Sequence, residues 1–396
     1  MIERIDVAIA EIGFRTAFSH ATKTRRRSAS VLVTVHTEDG EIGWGEAAPR
    51  PYVTGEDIDT VIAILTAWRP EELTGMRSGD FGRDLTALSA LNLTERLGGV
   101  RGHATAAAVE TALLDALCRR HDRSMVSALS TALGTAPAAG FGYTTTIDLT
   151  ADIHRAVGAL PRKRAPHIKI KADRDVAAAA YTARLVRRLR PDATISVDAN
   201  NSWALADVLA EAATFSDAGI GWLEEPLAAR DWSGLRTLGE AGLPVMLDES
   251  FCGPDDLATS IRFQAATHMN VRVSKVGGPL RAAAAIRDIR AGGLDYQIGV
   301  QVGEVGPLWA TGRALAAVAT DAAAVEVGRQ DEWFAQPLTS PGYHVDREHG
   351  LAAPVVGSGH GVRPTAWLSS QLTPAVGWTL GDGWTTLSTN SRKAAR

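Results

Sequence analysis

Apolar and polar residues alternate along roughly the first 50 positions, which is typical of antiparallel strands. Residues 30–37 lead through a turn signal at 38–40 into a further alternating run at 41–46, and this predicts a β-meander. The apolar spacing then becomes helical, most clearly at 58–68 and 104–121. Strands followed by a block of helices predict an α+β domain that is separate from the rest of the chain.

From residue 141 onward a short apolar strand followed by an amphipathic helix is repeated along the chain. The predicted strands are 142–147, 167–171, 194–198, 221–224, 244–248, 268–275, 296–301 and 324–327. Their number predicts an α/β fold of the (β/α)8 TIM-barrel type. A doubly wound open sheet is the competing architecture, but it usually has fewer strands and a glycine-rich phosphate-binding turn, which this sequence lacks.

These patterns divide the chain into three segments. We expect the α+β domain at 1–130, the barrel at 131–340 and a C-terminal segment at 341–396. Residues 388–396 are polar and basic, and we expect no fixed structure for them.

Five of the predicted strands end in charged residues, which buried strands normally exclude. They are Lys171, Asp198, Glu224, Asp248 and Lys275, at intervals of 24 to 27 residues. One βα unit fills such an interval, so the five charges are expected at the same end of one parallel sheet. In a TIM barrel the active site forms at the C-terminal ends of the strands.

The three acidic residues of this set come from successive strands, which lie about 4.8 Å apart. Asp198, Glu224 and Asp248 would therefore converge, and without a cation they would repel one another. Any one of them alone would more often cap a helix or lie in a surface loop. Oxygen ligands favour a hard cation, so the sequence predicts a Mg²⁺ site, with Mn²⁺ as an alternative.

The lysines suggest what such a metal site does. Lys169 and Lys171 are two positions apart and share a face of their strand. We expect Lys171 and Lys275 to face each other across the pocket, because their strands flank the three acidic ones. A nearby metal, a neighbouring ammonium and partial burial all lower the pKa of a lysine. One lysine can then remove a proton α to a carboxylate, while the cations stabilise the enediolate.

Motifs along nearly the whole chain resemble those of one family. They lie at residues 40–46, 53–56, 169–171, 198–200, 224–226, 248–250 and 275–278. In their order and spacing the chain resembles the muconate lactonizing enzyme subgroup of the enolase superfamily, in the mandelate racemase/muconate lactonizing enzyme family. The resemblance implies a modified, enolase-like barrel that is covered by a capping domain, built from the N-terminal part and the C-terminal tail.

The resemblance also implies roles for the charged residues. It makes Asp198, Glu224 and Asp248 the Mg²⁺ ligands and Lys171 and Lys275 an opposed acid/base pair. Lys169 would be the assisting cation that lowers the pKa of Lys171. The subgroup does not use the positions of Glu225 and Glu249 as ligands, and strand alternation turns them away from the pocket.

Substrate contacts are expected from three regions. The polar loops at 18–28 and 49–56 would close over the barrel as lids, bringing His20, Tyr52 and Thr54 to the substrate. Asn200, Glu304 and Glu326 would contribute from the barrel strands.

The last two strands depart from the pattern of the relatives. Dipeptide epimerases carry an Asp-x-Asp motif on the last strand, where this chain offers only Glu326, and this disfavours a dipeptide substrate. Residues 299–304 replace a shorter run that ends in an acidic residue, and Glu304 would keep that role. Alternation counted from Lys275 turns Asn270 and Arg272 outward, unless a bulge restores them to the pocket.

We therefore expect an isomerase, namely a racemase, epimerase or cycloisomerase that acts on a small carboxylate. A syn-dehydratase of the o-succinylbenzoate synthase type is the alternative, and a Schiff-base aldolase or a non-catalytic binding protein are less favoured classes. A basic run at His20, Lys23 and 25–27 either attracts a second anionic group of the substrate or is a solvated charge run.

Composition narrows the partners and the compartment. The 396 residues are 45% apolar and 22% charged, with a net charge of −4. Such a balance favours neither nucleic acid nor a membrane as a partner. Two distant cysteines and the absence of an apolar signal core favour a reducing cytoplasm. We also expect a homo-oligomer.

Overall fold

The computed structural model describes residues 2–20, 23–73, 78–99, 102–148, 152–160 and 164–387. The terminal residues 388–396, for which the sequence predicts no fixed structure, lie outside this part of the chain. Within it, no helix is long and apolar enough to cross a membrane.

The N-terminal part opens with five strands. They are β1 (Ile2–Ala10), β2 (Gly13–His20), β3 (Lys23–Arg27), β4 (Ser30–Thr37) and β5 (Ile42–Ala47). The alternating pattern is confirmed for β1, β4 and β5, which pair antiparallel. The polar loop predicted at 18–28 is wrong, because β2 and β3 form a hairpin of their own.

The helices of this part follow the sheet. They are α1 (Ile58–Ala67), a 3-10 turn (Pro70–Leu73), α2 (Phe81–Ala90), α3 (Leu93–Arg96), α4 (His103–Arg120) and α5 (Met125–Leu133). Helix α4 lies directly on β5, and glycine makes this close approach possible. A Cβ atom on Gly43 or Gly45 would stand 1.9 Å from a carbonyl oxygen of α4.

The second part of the chain contains eight parallel strands within the described residues. They are β7 (Thr144–Ile147), β8 (His167–Lys171), β9 (Thr194–Asp198), β10 (Trp222–Glu224), β11 (Val245–Leu247), β12 (His268–Val271), β13 (Asp295–Ile298) and β14 (Ala324–Val325), preceded by β6 (Phe141–Gly142). Their order in the sheet is their order in the chain. This confirms the predicted enolase-like TIM barrel, whose strands are shorter than the sequence suggests.

Helices cover the outside of the barrel. They are α6 (Ile153–Gly158), α7 (Val176–Leu189), α8 (Leu205–Ala210), α9 (Ala212–Asp217), α10 (Trp232–Glu240), α11 (Pro254–Phe263), α12 (Val273–Val276), α13 (Pro279–Ala291), α14 (Pro307–Val318) and α15 (Gln330–Trp333). Helix α12 is a single turn inserted after β12. The sequence predicted a strand through 275, and this is wrong beyond Val271.

The C-terminal part returns to the N-terminal sheet. It contains β15 (Thr339–Ser340), β16 (Leu351–Ala352), β17 (Arg363–Pro364), α16 (Ala366–Gln371), β18 (Thr373–Thr379) and β19 (Gly383–Thr386). Strand β18 pairs antiparallel with β1, so the antiparallel sheet has the order β19-β18-β1-β4-β5. Ile5 and its partner Trp378 are both almost fully buried, and the two ends of the chain therefore share one core.

Candidate active site

Register brings the predicted charges to one edge of the barrel. Lys171 on β8 pairs with Asp198 on β9, and Asp198 pairs with Glu224 on β10. Asp248 follows directly after β11. All three carboxyl groups are fully buried, so their charges depend on neighbouring cations rather than on water.

Lys169 is the buried centre of this group. Its Nζ lies 2.9 Å from Asp198, 2.8 Å from Glu224 and 2.9 Å from Glu326. Burial opposes its charge, but these carboxylates hold the pKa of Lys169 well above its ordinary value. Lys169 is therefore held as a cation, two positions before Lys171 on the same strand.

Glu326 is committed to this ion cluster. Burial disfavours its charge, yet Lys169 and Arg272 lower the pKa of Glu326 to about 2. One of its oxygens accepts a hydrogen bond from Lys169 and the other accepts one from the Val300 amide at 3.1 Å. Both oxygens of this carboxylate thus have partners.

Lys171 lies at the cavity wall. Its Nζ donates hydrogen bonds to Asp198 at 2.6 Å and to Asn200 Oδ1 at 3.3 Å. Its side chain is 14% exposed, whereas that of Lys169 is 2% exposed. Lys171 is therefore the lysine that a substrate in the cavity reaches most directly, and Asn200 lies beside it in the lining.

The cavity is bounded by residues from both domains. Its lining is formed by Arg25, Tyr52, Thr144, Thr146, Asp148, Lys169, Lys171, Asn200, Glu249, Arg272, Val300, Gln301, Val302, Glu326, Val327, Gly328, Arg329 and Trp333. Lys275 does not belong to this lining.

Lys275 lies deeper than Lys171, and its role in an opposed acid/base pair stays a prediction. Lys275 is fully buried behind Asp248, where its Nζ donates to the Asp248 carbonyl at 2.6 Å and to its carboxylate at 2.7 Å. Arg272 lines the cavity in its place, bound to Asp248 and, at 2.8 Å, to Gln301. The physical reason is helix α12, because a helical turn between Arg272 and Lys275 ends the alternation from which the sequence argument was counted.

The inward direction of Asn270 and Arg272 follows from the same turn. Asn270 Nδ2 donates to Glu224 at 2.9 Å, so its side chain faces the carboxylates rather than the outer helices. The outward orientation counted from Lys275 is therefore wrong. The glycine at position 277 is the sequence signal for this turn. Glycine commonly terminates a helical turn, and Gly277 ends α12 with a left-handed φ of 97°.

Glu249 also faces the cavity, contrary to the expectation that alternation turns it away. Strand β11 ends at Leu247, and the chain beyond it no longer alternates. Asn200 Nδ2 donates to Glu249 at 3.3 Å, and the other carboxylate oxygen is buried without a hydrogen-bond partner in the described part of the chain. Glu225 is turned away, as expected, and accepts hydrogen bonds from Ser250 and from the Asp248 amide.

Several predicted substrate contacts lie elsewhere. Glu304 is buried beside the cavity, where it accepts a hydrogen bond from the Gln301 amide at 2.7 Å. Thr54 is buried outside the cavity lining, and its hydroxyl has no hydrogen-bond partner among the described residues. Tyr52 reaches the cavity with Arg25 above its ring at 5.7 Å. The side chains of His20 and Lys23 lie outside the described residues.

Comparison with known families gives this site its context. Residues 4–129 match the Mandelate racemase / muconate lactonizing enzyme, N-terminal domain, and residues 152–367 match the family described as Enolase C-terminal domain-like. The chain belongs to the mandelate racemase and muconate lactonizing enzyme family. Its fold, an eight-stranded barrel with an N-terminal capping domain, is the one that this resemblance implied.

Individual relatives are isomerases. The N-succinylamino acid racemase of an Amycolatopsis species is 28% identical over 373 residues, which cover 92% of this chain and 94% of that protein. The L-Ala-D/L-Glu epimerase of Escherichia coli (strain K12) is 28% identical over 276 residues, covering 69% and 78%. Like these relatives, the chain is an isomerase of the enolase superfamily.

Solved structures share the fold. The dipeptide epimerase of Cytophaga hutchinsonii, solved with Mg and the dipeptide D-Ala-L-Val, superimposes with a TM-score of 0.79 at 20% identity. The match covers 94% of this chain and 99% of that one.

The residues of this family member fit a divalent cation by their chemistry. The donors are oxygens only, and burial raises the pKa of both Glu224 and Glu249 to about 7. An uncompensated carboxylate oxygen of Glu249 adds to the demand for positive charge. Lysine and arginine side chains pair with these acids, and no three acids, histidines or cysteines of the described chain stand ready as a ligand set.

Proposed function

We propose that the protein is a Mg²⁺-dependent isomerase that removes the proton α to a substrate carboxylate and stabilises the resulting enediolate. The observation that carries the proposal is Lys171, which lies at the cavity wall within 2.6 Å of a buried carboxylate from the neighbouring strand. Asp198, Glu224 and Asp248 would hold the cation. When bound, Mg²⁺ supplies positive charge that stabilises the enediolate oxygens.

Lys169 and Lys171 have different roles in the proposed reaction. Lys169 stays protonated because three carboxylates surround it, and it places a fixed positive charge beside Lys171. A neutral Lys171 accepts the α proton as a general base, a role that typically contributes about 10²–10⁴ in rate. Arg272 adds fixed positive charge on the far side of the carboxylates.

The occupied state of Glu326 argues against a free ammonium group on the substrate. Its two oxygens already accept hydrogen bonds from Lys169 and Val300. A dipeptide ammonium would have to displace one of them. The chain therefore favours a carboxylate whose nitrogen, if it has one, is acylated, and the relationship to an N-succinylamino acid racemase supports this direction.

A second anionic group on the substrate is favoured by the capping domain. Arg25 lines the cavity above Tyr52, whereas the nearby Arg329 is already bound to Asp148 at 2.7 and 3.0 Å. We infer that Arg25 receives the distal anionic group of a substrate whose α-carboxylate is held by the metal site.

Deuterium exchange at the α-carbon tests the proposal. The full chain is incubated in D2O with Mg²⁺ and a panel of N-succinyl amino acids, N-acetyl amino acids, dipeptides and muconates, and exchange is followed by proton NMR. We expect exchange with at least one doubly anionic member, its loss with EDTA, and its loss in Lys171→Ala. Arg262→Ala, an exposed change on α11, serves as the matched control. Exchange that survives in Lys171→Ala would overturn the proposed role of Lys171.

A syn-dehydratase is the second candidate function. It is favoured by one observation, namely that Arg272 lines the cavity together with Lys171, whereas Lys275 does not belong to the lining. Syn elimination needs a proton-transfer group on one face only. Release of water from a β-hydroxy dicarboxylate, without net isomerisation, would favour this candidate.

A further inference from the structure

The loop after β13 brings an amide side chain, that of Gln301, to the cavity wall. Gln301 lines the cavity and is 2% exposed, and its Oε1 accepts a hydrogen bond from Arg272 Nη1 at 2.8 Å. A guanidinium can only donate, so this contact fixes which end of the amide is the oxygen. The Nε2 group lies at the other end and is buried without a hydrogen-bond partner among the described residues. A buried donor of this kind costs free energy until it meets an acceptor.

The capping domain holds the backbone that follows Gln301. Arg50 Nη2 donates to the Val302 carbonyl at 2.5 Å, and the Ser28 hydroxyl donates to the Gly303 carbonyl at 2.6 Å. Both contacts tie the loop of the barrel to the cap immediately beside the amide. A side chain presented by a fixed backbone loses less conformational entropy when it binds an acceptor. The free Nε2 group is therefore a preorganised donor.

The surroundings of this donor favour an uncharged oxygen as its acceptor. Positive charge for the anionic groups of a substrate is already present in the cavity lining at Arg25, Lys171 and Arg272. The amide adds no charge, so what it contributes is a directional hydrogen bond. A substrate ammonium carries donors only, and it would leave the amide unpaired while standing near the guanidinium of Arg272.

We propose that Gln301 is a specificity-determining residue that donates a hydrogen bond from Nε2 to the carbonyl oxygen of an N-acyl group on the substrate. This inference rests on the proposed function and narrows its substrates to N-acyl amino acids. Gln301 lies in the run 299–304, which differs from the corresponding run of the relatives. The selectivity is therefore expected to be particular to this chain.

Two substitutions separate this role from a purely structural one, in which Gln301 only orients Arg272. Gln301→Glu keeps an oxygen toward Arg272 but replaces the free donor with a second acceptor. Gln301→Met removes both hydrogen-bonding groups at similar length. Gln371→Glu, the same change at an exposed position of α16, is the matched control.

The test compares two derivatives of one amino acid, the one whose N-succinyl form exchanges fastest in the panel. The first is this N-succinyl derivative, and the second is the N-(3-carboxypropyl) derivative, which keeps the distal carboxylate and replaces the carbonyl by a methylene group. Dissociation constants are measured by titration calorimetry with the full chain and Mg²⁺, and kcat/KM is measured by α-proton exchange. We expect the wild type to bind the N-succinyl derivative more tightly by about tenfold or more, the size of one buried hydrogen bond.

The variants should change this preference in different ways. In Gln301→Glu the acceptor repels the carbonyl oxygen and attracts the ammonium, so we expect the preference to reverse. In Gln301→Met the ratio of the two dissociation constants should fall to about one. The Gln371→Glu control should keep the wild-type ratio, and kcat/KM should follow the same order.

The outcomes distinguish this inference from the function on which it rests. A wild-type ratio near one overturns the hydrogen bond to the acyl carbonyl, and so does equal weakening of both derivatives in Gln301→Glu. If Gln301→Glu does not keep the wild-type melting temperature, Gln301→Met decides, and a wild-type ratio there overturns the inference. Exchange with muconates or dipeptides but with no N-acyl amino acid also overturns it and leaves the proposed function intact. No exchange with any member of the panel overturns the proposed function itself.

Discussion

The two ends of barrel strand β8 bury polar side chains of opposite character. At the C-terminal end, Lys169 and Lys171 contact buried carboxylates and border the cavity. At the N-terminal end, His167 is equally buried but lies 2.8 Å from the Thr144 hydroxyl and 3.0 Å from that of Ser196. Five residues of one strand thus pass from a neutral polar cluster to an ionic one.

The contrast distinguishes a buried polar residue that only stabilises the fold from buried charged residues that can take part in a reaction. Burial lowers the pKa of His167 to about 3, with a smaller contribution from Lys169, so the ring stays neutral and needs no counter-charge. It stacks on Trp222 with ring centres 4.9 Å apart, as a core residue does. Buried charges cost free energy unless they are paired, and a fold retains them where they serve a reaction. This contrast is why we assign the proposed reaction to the ionic end.

The largest expected effect on stability comes from substituting Lys169, because this lysine belongs to the ionic end of the strand and is fully buried. In Lys169→Met three carboxylates lose their common partner, and breaking a buried ion pair costs about 3–5 kcal/mol. We expect the free energy of unfolding in urea to fall by about that amount. Lys171→Met, which alters a partly exposed side chain on the same face, should change it by less than about 1 kcal/mol.

If the free energy of unfolding fell equally in Lys169→Met and Lys171→Met, the ionic end would be one structural unit. If Lys169→Met loses much more stability than Lys171→Met and Mg²⁺ restores part of that stability, the comparison becomes sharper. In that case the added cation compensates the carboxylates that have lost their lysine partner.

His167 provides the corresponding test at the neutral end, through pH. Its folded-state pKa of about 3 lies below the ordinary value of 6.5, so the unfolded chain binds more protons between these values. Stability should therefore fall as the pH drops from 6.5 toward 3, by up to about 4 kcal/mol from this residue. Urea unfolding of the wild type and of His167→Gln at pH 7.5, 5.5 and 4 measures the difference.

The glutamine variant cannot titrate and should lose less stability in acid than the wild type. His349→Gln, an exposed histidine in the C-terminal segment, is the matched control and should keep the wild-type pH dependence. The same acid dependence in wild type and His167→Gln would remove His167 as its source.

The sequence predicted the ends of the strands most accurately where a strand ends at a charged residue. Lys171, Asp198 and Glu224 terminate their strands as expected, because burial leaves an apolar run and the charge marks where it stops. The predicted side-chain directions were wrong for residues that follow the end of a strand. Arg272 and Glu249 follow strands that stop at Val271 and Leu247, so the two-residue alternation no longer determined their direction.

The β2–β3 hairpin shows a second reason for failure. It is attached to the barrel by distant partners, since Arg15 donates to the Phe334 carbonyl at 2.8 Å and Ser28 donates to the Gly303 carbonyl at 2.6 Å. Such contacts span most of the chain and leave no local pattern. The substrate-facing cap was therefore the part least predictable from the sequence.

Metal binding should stabilise the ionic end by a smaller amount. A ligand that binds only the folded state at 100 times its dissociation constant contributes about 2.7 kcal/mol. We expect Mg²⁺ to raise the melting temperature by a few degrees in the wild type and not in Asp198→Asn. Asp217→Asn, an exposed change on α9, should respond like the wild type. An equal rise in Asp198→Asn would place the cation elsewhere.

The smallest expected effect belongs to Arg25, which extends the comparison from the barrel to the cap. If it binds a distal anionic group equally in the ground and transition states, Arg25→Ala should raise KM for a doubly anionic substrate roughly tenfold and leave kcat unchanged. For a singly anionic analogue both constants should stay as they are. Arg26→Ala, the exposed neighbour on β3, is the matched control. A fall in kcat with unchanged KM would assign Arg25 to the chemistry of the barrel rather than to substrate selection by the cap.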